Sequence, residues 1–347
     1  MRPSRPAGRH VLVVGAVALA STVLVVSPAR AEGNAVVGID GTTLVVTAAA
    51  DGANRIGMYP DGSTVVVVDS LLPPTVGAAC SPGVTPDRVV CPLVGLTSIT
   101  VSLGPGDDRA TASRLIPLPA AIDGGAGDDL IEGGNRTDTL VGGDGTDTVS
   151  YSLSPAGVSV SLNGIADDGR PGESDLVSAD VERVVGSTHD DVLTGSPGPN
   201  TLSGLAGDDR INGGRGTDLL FAGEGTDTVS YQGRTGSVTV DLNGGAVSGE
   251  AGEDDTVFAQ FERAIGGAGD DVLLGNALSN TLTGGPGADT MTGGTGTDCV
   301  SYAERRAPVT VTIGVDGASG EAAEGDSVAD DVECVHGGAG ADTVTGD

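Results

Sequence analysis

Gly124-Gly125-Ala126-Gly127-Asp128-Asp129-Leu130-Ile131-Glu132 is followed without a break by Gly133-Gly134-Asn135-Arg136-Thr137-Asp138-Thr139-Leu140-Val141 and Gly142-Gly143-Asp144-Gly145-Thr146-Asp147-Thr148-Val149-Ser150. One nine-residue unit is written three times, and a fixed period of this kind decides the architecture before any local propensity does. A second array of five units starts at Gly186 and carries Asp191, Asn200, Asp209, Asp218 and Asp227 at the sixth position. A third, of four, starts at Gly266 with Asp271, Asn280, Asp289 and Asp298 there, and a fourth opens at Gly337 with Asp342. The eighth position is apolar throughout, from Ile131 and Leu140 to Val300 and Val344. A disordered Gly/Asp tract has no reason to keep such an apolar period.

The chemistry of the unit follows from its residue types. Glycine at the first, second and fourth positions lets the backbone take positive φ and turn tightly, which points main-chain carbonyls inward. The sixth-position Asp adds a short carboxylate on the same side. Carbonyl and carboxylate oxygens together are what a hard cation with six to eight ligands prefers, so the expected ion is calcium. Positions seven to nine form a short strand whose eighth residue faces the core. Two units make one turn of a coil, so units 18 residues apart stack and share an ion between their turns. Asp129/Asp147, Asp191/Asp209, Asp209/Asp227 and Asp271/Asp289 offer two carboxylates to such an ion. Asn200/Asp218 and Asn280/Asp298 offer one and define weaker sites.

Three spacers separate the arrays: Tyr151 to Val185, Tyr231 to Ile265 and Tyr302 to His336, each of 35 residues. They are copies of one another. An alternating strand recurs at the same offset (Val158, Val160, Leu162; Val238, Val240, Leu242; Val309, Val311, Ile313), as do Asp175, Asp255 and Asp326, and Glu182, Glu262 and Glu333. Cys299 and Cys334 occupy matching positions on either side of the third spacer, so a disulfide between them is expected. Their Cα atoms must then lie within about 7 Å, as on neighbouring strands. That requires the spacer to be one enlarged turn of the coil, with Thr148 beside Arg183 and Thr228 beside Arg263. Cys80 and Cys91 are expected to staple a short loop.

Composition narrows the classes further. Glycine numbers 59, aromatic residues are 2% and tryptophan is absent, which excludes a large aromatic-filled core. Acidic residues number 48 against 17 basic ones, for a net charge of -31, and every basic residue is Arg. Nucleic acid is excluded as a partner on this balance, and a Gly-rich phosphate loop is excluded because the chain has no Lys. Residues 1–31 read as a secretory signal peptide, with Arg2, Arg5 and Arg9 before the apolar run Val11 to Val26 and Ala29-Arg30-Ala31 at its end. Removing four Arg and no acids takes the charge from -31 to -35. Residues 32–123 carry β-type runs and are expected to form an N-terminal β cap. Residues 124–347 are the roll, with arrays at 124–150, 186–230, 266–301 and 337–347 and spacers at 151–185, 231–265 and 302–336. Leu103-Gly-Pro-Gly-Asp-Asp108 looks like a decayed copy of the repeat.

The tandem units and the Val-Ser-Tyr segments that close them resemble bacterial hemolysin-type calcium-binding (RTX) proteins over residues 104–347. The resemblance implies an all-β fold, a right-handed parallel β-roll (a β-solenoid), with calcium as the cofactor and an extracellular destination. The ligands it implies are Asp129, Asp138, Asp147, Asp191, Asp209, Asp218, Asp227, Asp271, Asp289, Asp298 and Asp342, with nearby turn carbonyls. Many relatives are exported by a C-terminal signal, whereas this chain begins with an N-terminal one. Toxin and hydrolase relatives carry a separate effector domain, and no such segment is legible here.

No catalytic residue is expected. His10 leaves with the signal, His189 and His336 sit in or beside repeat turns, and the 32–123 region contains no His from which to build a Ser/His/Asp or Cys/His site. The expected function is therefore noncatalytic calcium binding in a secreted structural or surface-interaction protein. Its expected partners are calcium ions; the sequence names no macromolecular partner, for which a cell-surface or extracellular matrix component is the candidate. The competing class is a secreted hydrolase or toxin-like protein with its activity in residues 32–123.

Asp209 can serve two stacked pairs, with Asp191 and with Asp227, whereas Asn200 brings a neutral amide to one. Asp209→Ala should weaken calcium binding more than Asn200→Ala in isothermal titration, and equal losses would argue against stacking at 18 residues.

Overall fold

The structure, a computed structural model, describes residues 34–48 and 52–346; the expected signal segment lies outside them. Every regular element among the described residues is a β-strand. Half of them are three residues long, as positions seven to nine of the repeat require. They stack in parallel on two faces of a coil, so the chain folds as a parallel β-roll.

On one face the in-register buried residues run Val46, Val101, Ile122, Leu140 and Val177. On the other they run Ile56, Ala110, Ile131, Val149, Val184, Leu202, Leu220 and Val257. Successive repeat strands on a face are 18 residues apart, as two units per turn demands. The eighth-position side chains from Ile131 to Val300 are all at most 1% exposed, and Val344 alone among them stands 53% exposed. Burying each aliphatic side chain contributes about 1.5–3 kcal/mol. This single file of small aliphatics replaces the aromatic core that the composition excludes.

Two antiparallel hairpins open the two faces. Val36–Asp40 pairs with Thr43–Thr47, and Arg55–Asp61 with Thr64–Asp69, each across a two-residue turn whose first glycine, Gly41 or Gly62, has φ near 60°. Thr43–Thr47 then pairs in parallel with Ser98–Pro105, and Arg55–Asp61 with Arg109–Ala112. Parallel stacking thus runs on through the expected division at residue 123. Leu103 to Asp108 is a genuine turn of the roll, since Gly104 is in register with Gly125, and Gly125 with Gly143. The Cys80–Cys91 disulfide ties the strand pair Ser81–Pro82 and Arg88–Pro92 to the core.

Each spacer is one enlarged turn. Thr148 pairs with Arg183, Thr228 with Arg263 and Cys299 with Cys334, so one face continues without interruption. On the opposite face the chain doubles back. Val257 follows Leu220, an antiparallel segment around Ser248 comes next, and Val240 then leads to Leu273. The third spacer repeats this with Val328, Ser319 and Val311, and the first does so on the other face through the bridges Asp168↔Asp175 and Ser159↔Gly169. Cys299 and Cys334 are disulfide-bonded with their Cα atoms 4.5 Å apart, and Val300 beside them is fully buried.

Candidate metal centres

The sixth-position carboxylates form ladders along the turns of the roll. In each, one oxygen is fixed by the turn before. Asp129 N–H donates to Asp147 Oδ1 at 2.9 Å, Asp191 N–H to Asp209 Oδ1 at 2.8 Å and Asp209 N–H to Asp227 Oδ1 at 2.8 Å. Asn200 and Asn280 donate in the same way to Asp218 and Asp298, both at 2.7 Å, and Asp271 to Asp289 at 2.9 Å. Stacking at a separation of 18 is thus carried by the side chain expected to bind the ion.

The second oxygen distinguishes two kinds of turn. In the units of Asp138, Asp191 and Asp271 the second-position N–H of Gly134, Ser187 or Gly267 donates to Oδ2 of its own Asp at 2.5 Å. Asn200 and Asn280 are closed likewise by Ser196 and Asn276. In seven other units the second residue (Gly125, Gly143, Leu205, Gly214, Gly223, Gly285 or Gly294) has φ between 84° and 130°. Those are the units of Asp129, Asp147, Asp209, Asp218, Asp227, Asp289 and Asp298, whose Oδ2 atoms are buried without a hydrogen-bond partner. The left-handed second residue turns its N–H away from the carboxylate. Closed turns begin the stacks of the second and third arrays, and each of these seven open turns has a repeat turn before it, 18 residues earlier or, for Asp129, the Asp108 turn 21 residues earlier; the first stack begins instead with Asp108, itself open.

The turn oxygens converge where a side chain is missing. A Cβ on Gly124 would collide with both Asp129 Oδ2 and the Gly142 carbonyl of the next turn. Gly204 would meet Asp209 Oδ2 and the Ala222 carbonyl, and Gly266 would meet Asp271 Oδ2 and the Gly284 carbonyl. A buried carboxylate oxygen beside a neighbouring carbonyl, unpartnered in Asp129 and Asp209 and bonded to Gly267 N–H in Asp271, is an arrangement of hard oxygen donors that fits calcium. Seven stacked pairs carry at least one unpartnered Oδ2: Asp108/Asp129, Asp129/Asp147, Asp191/Asp209, Asp209/Asp227, Asn200/Asp218, Asp271/Asp289 and Asn280/Asp298.

Two expected ligands stand apart. Asp138 lies between Ala120 and Asp175, and its oxygens accept from Ala120 and Gly134 N–H groups. Asp342 accepts from Val309 at 3.1 Å and has no repeat turn before it. Conversely Asp108, legible in the decayed copy at Leu103 to Asp108, joins the first ladder: its N–H donates to Asp129 Oδ1 at 2.7 Å and its own Oδ2 is buried and unpartnered.

The recurrent spacer acids terminate the ladders. Asp175, Asp255 and Asp326 accept from Asp138, Asp218 and Asp289 N–H groups through Oδ1. Their Oδ2 atoms accept from the Tyr151, Tyr231 and Tyr302 hydroxyls at 3.1, 2.9 and 2.8 Å. Glu182, Glu262 and Glu333 close the other ladder by accepting from Asp147, Asp227 and Asp298. Here a phenol fills the second oxygen that in the arrays stays open.

A parallel β-roll whose stacked turns present buried carboxylates and carbonyls is a calcium-binding β-solenoid. The family described as the RTX calcium-binding nonapeptide repeat matches residues 122–152, 185–220, 194–229, 265–299 and 335–347. Over these residues the chain carries RTX-type repeats, and calcium is the ion such repeats bind. A search of curated proteins finds no match.

Without a cation the ladders are costly. Burial, reinforced by neighbouring carboxylates, pushes Asp129, Asp209 and Asp289 up to about 7 and Asp218 up to about 8, from an ordinary value of 3.8. With folded-state values above the unfolded one, protonation favours the ion-free fold fully below about 3.8, and that contribution is lost as pH rises through about 7 to 8. In chelator, the far-UV circular dichroism should therefore gain β signal as pH falls from about 7.5 to 4.5. A signal that is flat or falls over that range would contradict this electrostatic account.

Proposed function

We propose that the protein is a secreted, noncatalytic RTX β-roll that serves a structural or surface-interaction role and becomes rigid only where calcium is abundant. The observation that carries the reading is the set of buried, unpartnered Asp oxygens in the open turns. With a mature charge of -35 from the -31 of the full chain and the loss of four Arg, self-repulsion opposes compaction until cations neutralise the ladders. Extracellular calcium is held by modules with dissociation constants of about 0.1–1 mM, which would make export itself the folding signal.

Export rests on the Arg-rich start and apolar run of residues 1–31, and the two disulfides suit an oxidising compartment. The two hairpins at the start of residues 32–123 fit a β cap, because they offer antiparallel pairs where an open parallel edge would invite further strands. A noncatalytic role is supported by the fate of the acids: their period, their ladder bonds and their ion spaces account for them without an acid/base pair. His189 and His336 are exposed beside repeat turns.

Far-UV circular dichroism of the mature chain should show a largely unfolded protein in chelator and a cooperative gain of β signal at about 0.1–1 mM calcium. A β spectrum indifferent to chelator would sink the proposal.

A further inference from the structure

We propose that an arginine side chain takes the place of calcium at each of the three points where a spacer interrupts a stack of turns, so that the junctions hold without an added ion. The turns that start at Gly133, Gly213 and Gly284 should be followed 18 residues later by another repeat turn. Tyr151, Tyr231 and Tyr302 stand there instead. In the second spacer Arg234 reaches back across this gap. Its Nη2 donates to the Gly214 carbonyl in the turn of Asp218, and its Nη1 donates to Glu253 Oε1 at 2.7 Å. In the third, Arg305 Nη2 donates to the Gly285 carbonyl in the turn of Asp289 and pairs with Glu324 at 2.8 Å. Both guanidinium groups are largely buried, with side-chain exposures of 10% and 16%. Asp218 and Asp289 are open-turn residues with unpartnered Oδ2 atoms, so each guanidinium lies at a turn that would otherwise share an ion with its successor.

The first spacer places a guanidinium at the corresponding gap with different residues, here at the closed turn of Asp138. At the offset of Arg234 and Arg305 it carries Ser154, and at the offset of Glu250 and Glu321 it carries Arg170. Arg170 Nη2 donates to Asn135 Oδ1 at 3.0 Å, in the turn that starts at Gly133, and the side chain bonds Glu173, the counterpart of Glu253 and Glu324. The positive charge has changed its point of attachment and kept its place. A guanidinium suits that place because it is charged at every accessible pH and donates in a plane to carbonyl and carboxylate oxygens together. No chelator removes it.

The inference rests on the array turns holding calcium, and calcium titration of the wild-type mature chain by far-UV circular dichroism checks that separately. Against that baseline, Arg234→Ser should raise the calcium midpoint for folding by about threefold, since it leaves buried acids without their cation. The triple variant Arg234→Ser, Glu250→Arg, Arg215→Asn supplies the second spacer with the counterparts of Ser154, Arg170 and Asn135 and should return the midpoint to near the wild-type value. Arg306→Ser, at an exposed arginine of the third spacer, should leave it unchanged. If Arg234→Ser does not fold at any calcium concentration, recovery of folding in the triple variant supports the inference equally. It is overturned if Arg234→Ser behaves like Arg306→Ser, or if the triple variant is no better than the single one. A wild-type chain that folds without calcium would remove the calcium reading itself before any variant is compared.

Discussion

Everything in this roll depends on a carboxylate that is divided between two tasks. One oxygen of each sixth-position Asp accepts the N–H of the turn before it, which fixes the rise of the coil; the other is buried, and in the open turns it has no protein partner. A buried charged oxygen left so costs several kcal/mol unless a cation answers it. On the proposed function the fold is therefore incomplete as protein alone, and ion binding and stacking are one event. The thin aliphatic core can set the strand faces, but a file of single Val, Leu and Ile residues gives little with which to outweigh charge repulsion on this scale.

The spacers show what the chain does where this device has to stop. Tyr151, Tyr231 and Tyr302 give the last Asp of one ladder a hydroxyl for its second oxygen, and Glu182, Glu262 and Glu333 close the other. Protein groups thus satisfy within the spacers the second oxygen that has no protein partner in the open turns of the arrays. The same enlarged turn lets one face run on unbroken while the opposite face takes in an antiparallel excursion, and in the last copy a disulfide locks that continuity.

Much of this was legible in the sequence because it was periodic. The nine-residue unit forces three-residue strands, the separation of 18 follows from two units per turn, and the matched Cys299 and Cys334 imply one enlarged turn per spacer. What was not legible is conformational. Nothing in the letters separates Gly134, whose N–H closes on Asp138, from Gly143, whose left-handed φ opens Asp147; within the arrays the difference goes with whether a repeat turn precedes the unit. Asp138 therefore read like every other sixth-position Asp, although its neighbours are Ala120 and Asp175. The spacer acids were visible as a coincidence of offsets, but their partners lie 24 to 37 residues away, beyond any local pattern. Asp108 carried a signal, in the decayed Leu103 to Asp108 copy, that its irregular spacing obscured.

The central claim is that calcium sits between stacked turns, against the unpartnered Oδ2 atoms. Anomalous diffraction from crystals of the mature protein grown with calcium addresses it directly. The account predicts peaks in the spaces Asp191/Asp209, Asp209/Asp227 and Asp271/Asp289, at about 2.3–2.6 Å from Oδ2 and turn carbonyl oxygens. Peaks confined to the exposed fifth-position carboxylates, such as Asp128, Asp190, Asp208 and Asp270, with none between the turns, would contradict it.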